Sequence, residues 1–351
     1  MRGIWCLLAV GVLATAGWAA APAALPPTQP ATPEPQTWEG LKLWPPRPVR
    51  NTAPAPSSVA LAAADQQLLL GEISAGAVCL GELEPATAVA MWLHSVVPAA
   101  PGRERTGLSL AIVGKTAWLA WLEAPAGTPA DAPHSLMLTG YDLAAQTASA
   151  PTEVATTRQG GLVAHNQQLW LAWLDPAESG SLSLCSWPRG NSAVVTWSPA
   201  EPGTLTGLGL ADFGPDLGLP FVTSDRGQTS LWQAAYNGHR FFGIRKLRGS
   251  GTLGNPAAAR VGNRLLTLFT VAQSAPAGHT MASDLVLAVT DEVGVQLDST
   301  NYLADGHVNL SPALAPMERL TYLAYDAWSA PPGTPGAHNL GVFPGKIDSG
   351  P

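Results

Sequence analysis

The chain has 351 residues, of which only 12% are charged, with 36 Gly, 33 Pro and a net charge of −7. Such frequent punctuation poorly suits long amphipathic helices and favours many short strands. Mild acidity, with Lys scarce beside Arg, argues against nucleic acid or an anionic membrane surface as a partner.

The first 21 residues have the pattern of an export signal. Arg2 gives a positive start, Ile4 to Ala16 an apolar core, and Ala19–Ala21 a small-residue cleavage site. The apolar run is short and ends in Ala and Pro, which disfavours a membrane anchor. A secreted or periplasmic protein is expected. Cys6 lies inside the signal, so the mature chain would keep Cys79 and Cys185. Residues 22–56 are dominated by Pro, Ala and Thr and read as an extended linker. Within it, residues 37–46 (TWEGLKLWPP) are too apolar for a spacer.

From residue 57 to 351 the chain repeats itself. Val59–Ser74 holds two apolar runs around a turn, with Gln66–Gln67 at the start of the second. Next come LSLAIVGK, TAWLAWLE and HSLMLTGYDL, from Leu108 to Leu143. GGLVAHNQ, QLWLAWLD and SLSLCSWP follow between Gly160 and Pro188, so Trp118 and Trp170 stand 52 positions apart. The fourth copy is the plainest: four apolar runs between Gly207 and Leu247, the last pair joined at Asn237–Gly238, a strong hairpin signal. Ala257–Ala272 and Leu310–Asp326 complete the series.

Six copies of about four strands each, at roughly 48–55 residues, predict an all-β fold. The expected form is a six-bladed β-propeller of four-stranded antiparallel blades, with seven blades the alternative. A β-sandwich would give short strands without a reason for one period. The last copy lacks a clear fourth strand, and residues 37–46 are the candidate to supply it and close the ring. At the second Trp of WLAW the copies show Glu72, Trp121, Trp173, Phe221, Phe269 and Tyr325. An aromatic in five of six copies points to wedges between blades rather than to a sugar-stacking platform. Cys79 and Cys185 fall in the third strands of the first and third blades, too far apart to bridge.

The blade pattern, and Ser311–Trp328 within it, resembles sialidase-like (Asp-box) repeat propellers. That resemblance implies converging arginines for a carboxylate, and Arg103, Arg105, Arg158 and Arg260 are expected near the starts of first strands. Thr223, Asp225, Gly227 and Thr229 keep the Asp-box spacing, but Ser230 stands where the aromatic belongs, and an ordinary turn explains the segment. Nothing in the sequence marks a nucleophilic Tyr or an acid/base Asp. Other six-bladed propellers hydrolyse lactones with a channel metal, yet the seven His are scattered and no metal-ligand spacing occurs. No cofactor and no metal are expected, and no catalytic residue is assigned.

Function is therefore sought in the loops. Long connections between second and third strands, with the loops between blades, share one face of a propeller. There the candidate contacts are Trp328, Asp305, His307, Arg103 and Arg105. The expected role is a non-catalytic module binding a protein or glycan ligand, without stable membrane insertion. A sialidase-like or lactonase-like hydrolase working at the channel is the alternative. The basic run His239–Gly249 falls on an outer strand, where charge discourages edge-to-edge pairing.

Overall fold

Apolar runs such as Leu108–Val113, ended by Gly114, and Leu169–Leu174, ended by Asp175, can satisfy their backbone only by pairing with neighbours. They pair into six antiparallel sheets. The computed structural model describes residues 36–38, 41–44, 58–64, 66–84, 90–129, 131–176, 180–188, 193–200, 203–249, 251–272, 283–291, 296–303, 308–318, 320–328 and 339–348. All belong to the unit Glu34–Pro351, and the expected export signal lies outside the described residues.

Two short strands lead, β1 (Gln36–Trp38) and β2 (Leu41–Trp44). Blade 1 is β3 (Ser58–Ala64), β4 (Gln67–Ser74), β5 (Ala77–Leu83) and β6 (Ala90–Val97). Blade 2 is β7 (Arg103–Val113), β8 (Thr116–Pro125) and β9 (His134–Asp142), with β10 (Thr147–Ala148) and β11 (Thr152–Thr157) both paired to the outside of β9. Blade 3 is β12 (Gly160–His165), β13 (Gln168–Leu174), β14 (Leu182–Trp187) and β15 (Val195–Trp197). In blade 4 the first strand comes in two pieces, β16 (Thr204–Leu208) and β17 (Ala211–Phe213), followed by β18 (Asp216–Asp225), β19 (Gln228–Tyr236) and β20 (Phe241–Arg248). Blade 5 is β21 (Thr252–Val261), β22 (Arg264–Ala272), β23 (Ser283–Thr290) and β24 (Gln296–Leu303). Blade 6 has β25 (Val308–Met317), β26 (Leu320–Trp328) and β27 (Asn339–Asp348). The fold is the expected six-bladed propeller, and no helix occurs among the described residues.

The sixth sheet takes its fourth strand from the N-terminal side of the chain, in the order β1-β2-β27-β26-β25. Leu43 of β2 faces Ile347 of β27 in the ladder. Leu41 and Leu43 are buried in one cluster with Leu268 and Leu285 of blade 5 and Tyr325 of blade 6. The Tyr302 hydroxyl, on β24, donates to the Trp44 carbonyl and fastens β2 to blade 5 as well. A ring joined by strand pairing leaves no open seam between its first and last blades.

The core is divided among the joints. Separate apolar clusters fill the interfaces between blades 1 and 2, 2 and 3, 3 and 4, 4 and 5, 5 and 6, and 6 and 1. Trp121, Trp173, Phe221, Phe269 and Tyr325 are all buried in these joints, as the repeat predicts. Each contributes on the order of 2–3 kcal/mol. Glu72 occupies the same place on the blade 6 side of blade 1 and is 0% exposed. Blades 4 and 5 meet backbone to backbone near the axis. A Cβ on Gly209 would stand 2.3 Å from the Pro256 carbonyl oxygen, so only glycine permits this approach. Cys79 on β5 and Cys185 on β14 form no disulfide and are buried in non-adjacent blades.

Candidate functional site: the axial channel

The first strands of a propeller pair on one side only, so their inner edges and adjoining side chains face the axis. Here all six enclose a channel of about 850 Å³. Its middle is apolar, with Leu61, Leu110, Leu162, Leu210, Ala258 and Leu314 among the lining residues. Polar side chains gather at the two ends. We call the end where first strands begin the upper mouth and the end where they finish the lower mouth.

The lower mouth is a tight collar. Each of the six first strands returns to its second strand through two residues, as at Gly114–Lys115 and Asn166–Gln167. In the latter both φ angles are positive, 49° and 59°, the geometry of a type I′ hairpin. His165 closes β12 there. Its Nδ1 lies 2.6 Å from an Asp212 carboxylate oxygen on β17, and its Nε2 lies 2.9 Å from Asn166 Nδ2. With the Asn166 amide donating to Nε2, Nδ1–H donates to Asp212 and neither ring nitrogen is left for a substrate. This pair ties blade 3 to blade 4. Arg260 sits beside it, its Nε donating to the Gly262 carbonyl at 2.7 Å.

The upper mouth is different in kind. Between β8 and β9 eight residues intervene, and between β13 and β14 seven. The first of these connections is held over the mouth by Glu104, whose carboxylate accepts from the Gly127 N–H at 3.2 Å. Thr128 from the same connection and His134 at the start of β9 line the channel with Thr106. Across from them, Asn255 of blade 5 donates through Nδ2 to Gln159 Oε1 at 2.6 Å, and its own Oδ1 accepts from the Leu208 N–H at 3.1 Å. That bridge spans the start of blade 4. Next to it Arg158 lines the channel, exposed, with no hydrogen-bond or ion-pair partner among the described residues.

The four arginines singled out by sequence do not converge. Arg158 stands at the upper mouth, but Arg260 lies near the end of β21, not its start, and so belongs to the lower mouth. Arg103 is half exposed, its Nε 3.9 Å from Glu123. Arg105 is buried. Its Nε donates to Glu123 at 2.7 Å, and Nη1 donates to the carbonyls of Gly76 (2.9 Å), Val97 (3.3 Å) and Pro98 (2.8 Å). The guanidinium also lies 5.8 Å from the centroid of the Trp121 ring. Arg105 thus fastens β7 to the turns of blade 1. Trp328 ends β26, with its side chain outside the described residues, as are Asp305 and His307.

Sequence reading passed over Glu104 and Thr106, the channel-lining neighbours of Arg103 and Arg105. The cause is a register shift in β7 between Thr106 and Ser109. Beyond it Leu108, Leu110 and Ile112 face blade 1, and before it Arg105 does. A bulge of this kind inverts which alternate residues face each way.

The chemistry available is limited. Glu104 and Asp212 are the channel-lining carboxylates among the described residues, and they sit at opposite mouths. Eight strand positions at ~3.3 Å each separate them by roughly 25 Å, beyond the ~10 Å within which two glycosidase carboxylates act. Among the described residues no three His, Cys, Asp or Glu side chains come together as a metal site. A buried carboxylate lies off the channel. Glu72 has no hydrogen-bond partner for either carboxylate oxygen among the described residues. Burial pushes its carboxyl up to about 7. Opposite it in the ladder, burial and then the Glu72 charge push the Cys79 thiol up to about 11.

The chain matches no protein-family profile and no curated protein sequence. Several solved structures share its architecture. A protein of unknown function from Dyadobacter fermentans superposes with a TM-score of 0.66 at 10% identity, over 89% of this chain and 100% of that one. Trypanosoma rangeli sialidase gives 0.54 at 8% identity, over 86% of this chain and 57% of that one. The Bacteroides ovatus xyloglucan PUL protein GH43B gives 0.50 at 9% identity, over 80% and 68%. The chain is thus a six-bladed β-propeller similar in fold to sialidase and GH43 propellers, and at these identities the likeness is one of fold alone.

Proposed function

We propose that this protein is an exported, non-catalytic binding module that takes a protein or glycan ligand at the upper mouth of its channel. One observation carries the reading. The upper mouth combines long connections with an unpaired guanidinium, Arg158, beside Gln159, Asn255, Thr106 and Thr128. These groups donate and accept hydrogen bonds, and a pocket of this volume suits recognition of a compact ligand or a projecting side chain. Arg103 extends the same rim, and Trp328, Asp305 and His307 are further candidate contacts by chain position. Export rests on Arg2, the apolar run to Ala16 and the Ala19–Ala21 site.

The second reading is a hydrolase at the same mouth, favoured by the sialidase and GH43B among the structural neighbours. Glycan and peptide arrays separate the two when probed with the wild type, Arg158→Ala and Lys115→Ala, a change at the lower collar. The binding reading expects a ligand held by the wild type and Lys115→Ala and lost by Arg158→Ala. Turnover of an arrayed glycan that stops in Glu104→Gln contradicts it.

A further inference from the structure

Between Asp225 and Asp284 the chain contains no acidic residue, yet it carries Arg226, Arg240, Arg245, Lys246, Arg248, Arg260 and Arg264. In a protein of net charge −7 this is a marked segregation. Much of it falls on one strand. β20 is the outermost strand of blade 4 and pairs only with β19, so its other edge offers unpaired N–H and C=O groups. Arg245 and Lys246 on β20 and Arg240 just before it are exposed, and none has an acidic partner among the described residues. Lys246 instead lies 5.4 Å from the centroid of the Trp232 ring, which fixes its ammonium over the sheet. Phe242 on the same strand is 36% exposed, one of three exposed large hydrophobic side chains among the described residues.

Self-protection against aggregation explains a charge or two on such an edge, but not an exposed Phe between uncompensated cations. We propose that β20 is a docking edge for an acidic, extended segment of a partner protein, which adds as a further strand beside Arg245 and Lys246 with an apolar residue against Phe242. Backbone pairing supplies the alignment. Consecutive positions of β20 face opposite sides, so acidic side chains on one face of the added strand meet Lys246 and apolar ones on the other pack against Phe242. An acidic strand fits better than a polyanion or a membrane. Those need cations spread over a face, and the remaining surface, which holds the whole negative excess, repels them. This surface is separate from the channel, so it stands or falls independently of the upper-mouth reading.

The test uses the full chain and a fluorescein-labelled decapeptide alternating Glu and Val, read by anisotropy at 50 mM salt. Wild type is expected to bind it, with affinity lowered ~10-fold or more in R245E/K246E and lowered also in Phe242→Ala and at 0.5 M salt. Both variants change exposed positions, and an unchanged melting curve confirms that they fold. Hydrogen exchange should show the backbone amides of residues 244–248 protected when the peptide is bound. Equal binding by R245E/K246E, equal binding of a Lys/Val peptide, no binding, or binding only to vesicles containing phosphatidylglycerol each overturns the proposal.

Discussion

Replacing Glu72 by Leu should stabilise the protein at neutral pH and remove a slope from its stability profile. Glu72 is 0% exposed, its two oxygens lack partners among the described residues, and its carboxyl is raised from 4.5 to about 7 by burial. Below pH 4.5 the acid is protonated in both folded and unfolded chains and contributes no pH dependence. Between 4.5 and about 7 the unfolded chain ionises while the folded one stays protonated, so stability falls by ~1.4 kcal/mol per pH unit. Above about 7 both are ionised and the full penalty, ~3 kcal/mol, is constant. Leu has a similar volume and belongs in a joint that already holds Leu68, Leu70 and Leu83. Urea denaturation of both proteins at pH 4.5, 5.5, 6.5 and 7.5 gives the difference directly. It should grow by ~3 kcal/mol across that range. A difference that stays flat with pH refutes the reasoning.

Other consequences follow from the same packing. Leu43→Ala, which opens the closing strand, should cost ~2–5 kcal/mol in urea denaturation, whereas an idle linker would lose nothing. Arg105→Ala removes the buried cation that donates to Glu123 and to three carbonyls, leaving Glu123 the Trp121 indole N–H, and should cost ~3–5 kcal/mol, with ligand binding at the upper mouth surviving in the folded fraction. Gly209→Ala forces blades 4 and 5 apart and should lower the melting temperature by several degrees, about 1–3 kcal/mol of overpacking. Ellman titration in denaturant without reductant should find Cys79 and Cys185 both as thiols, and a silent pair would mean that they are bridged.

How much of this was legible depended on whether a feature repeats. The twin WLAW segments gave the blade period because every joint needs the same wedge, and aligning six copies exposed Glu72 as the odd member. The closing strand was readable because Leu41, Leu43 and Trp44 are out of place in a Pro-rich run. The candidate site was harder. Alternation places side chains only while the register holds, and the shift between Thr106 and Ser109 cannot be seen in RERTGLSL. Arg260 was assigned to the wrong mouth because β21 begins at Thr252, earlier than its apolar residues suggest. The bridge between Gln159 and Asn255 joins residues 96 positions apart, which no local pattern signals.

The central claim is that the upper mouth binds without reacting. Incubating the wild type with the ligand that its Arg158 selects, and weighing the ligand by mass spectrometry, tests it most directly. The account predicts that the ligand is recovered at its original mass, bound by the wild type and not by Arg158→Ala. Recovery of cleaved ligand from the wild type, with cleavage abolished in Glu104→Gln, would contradict it.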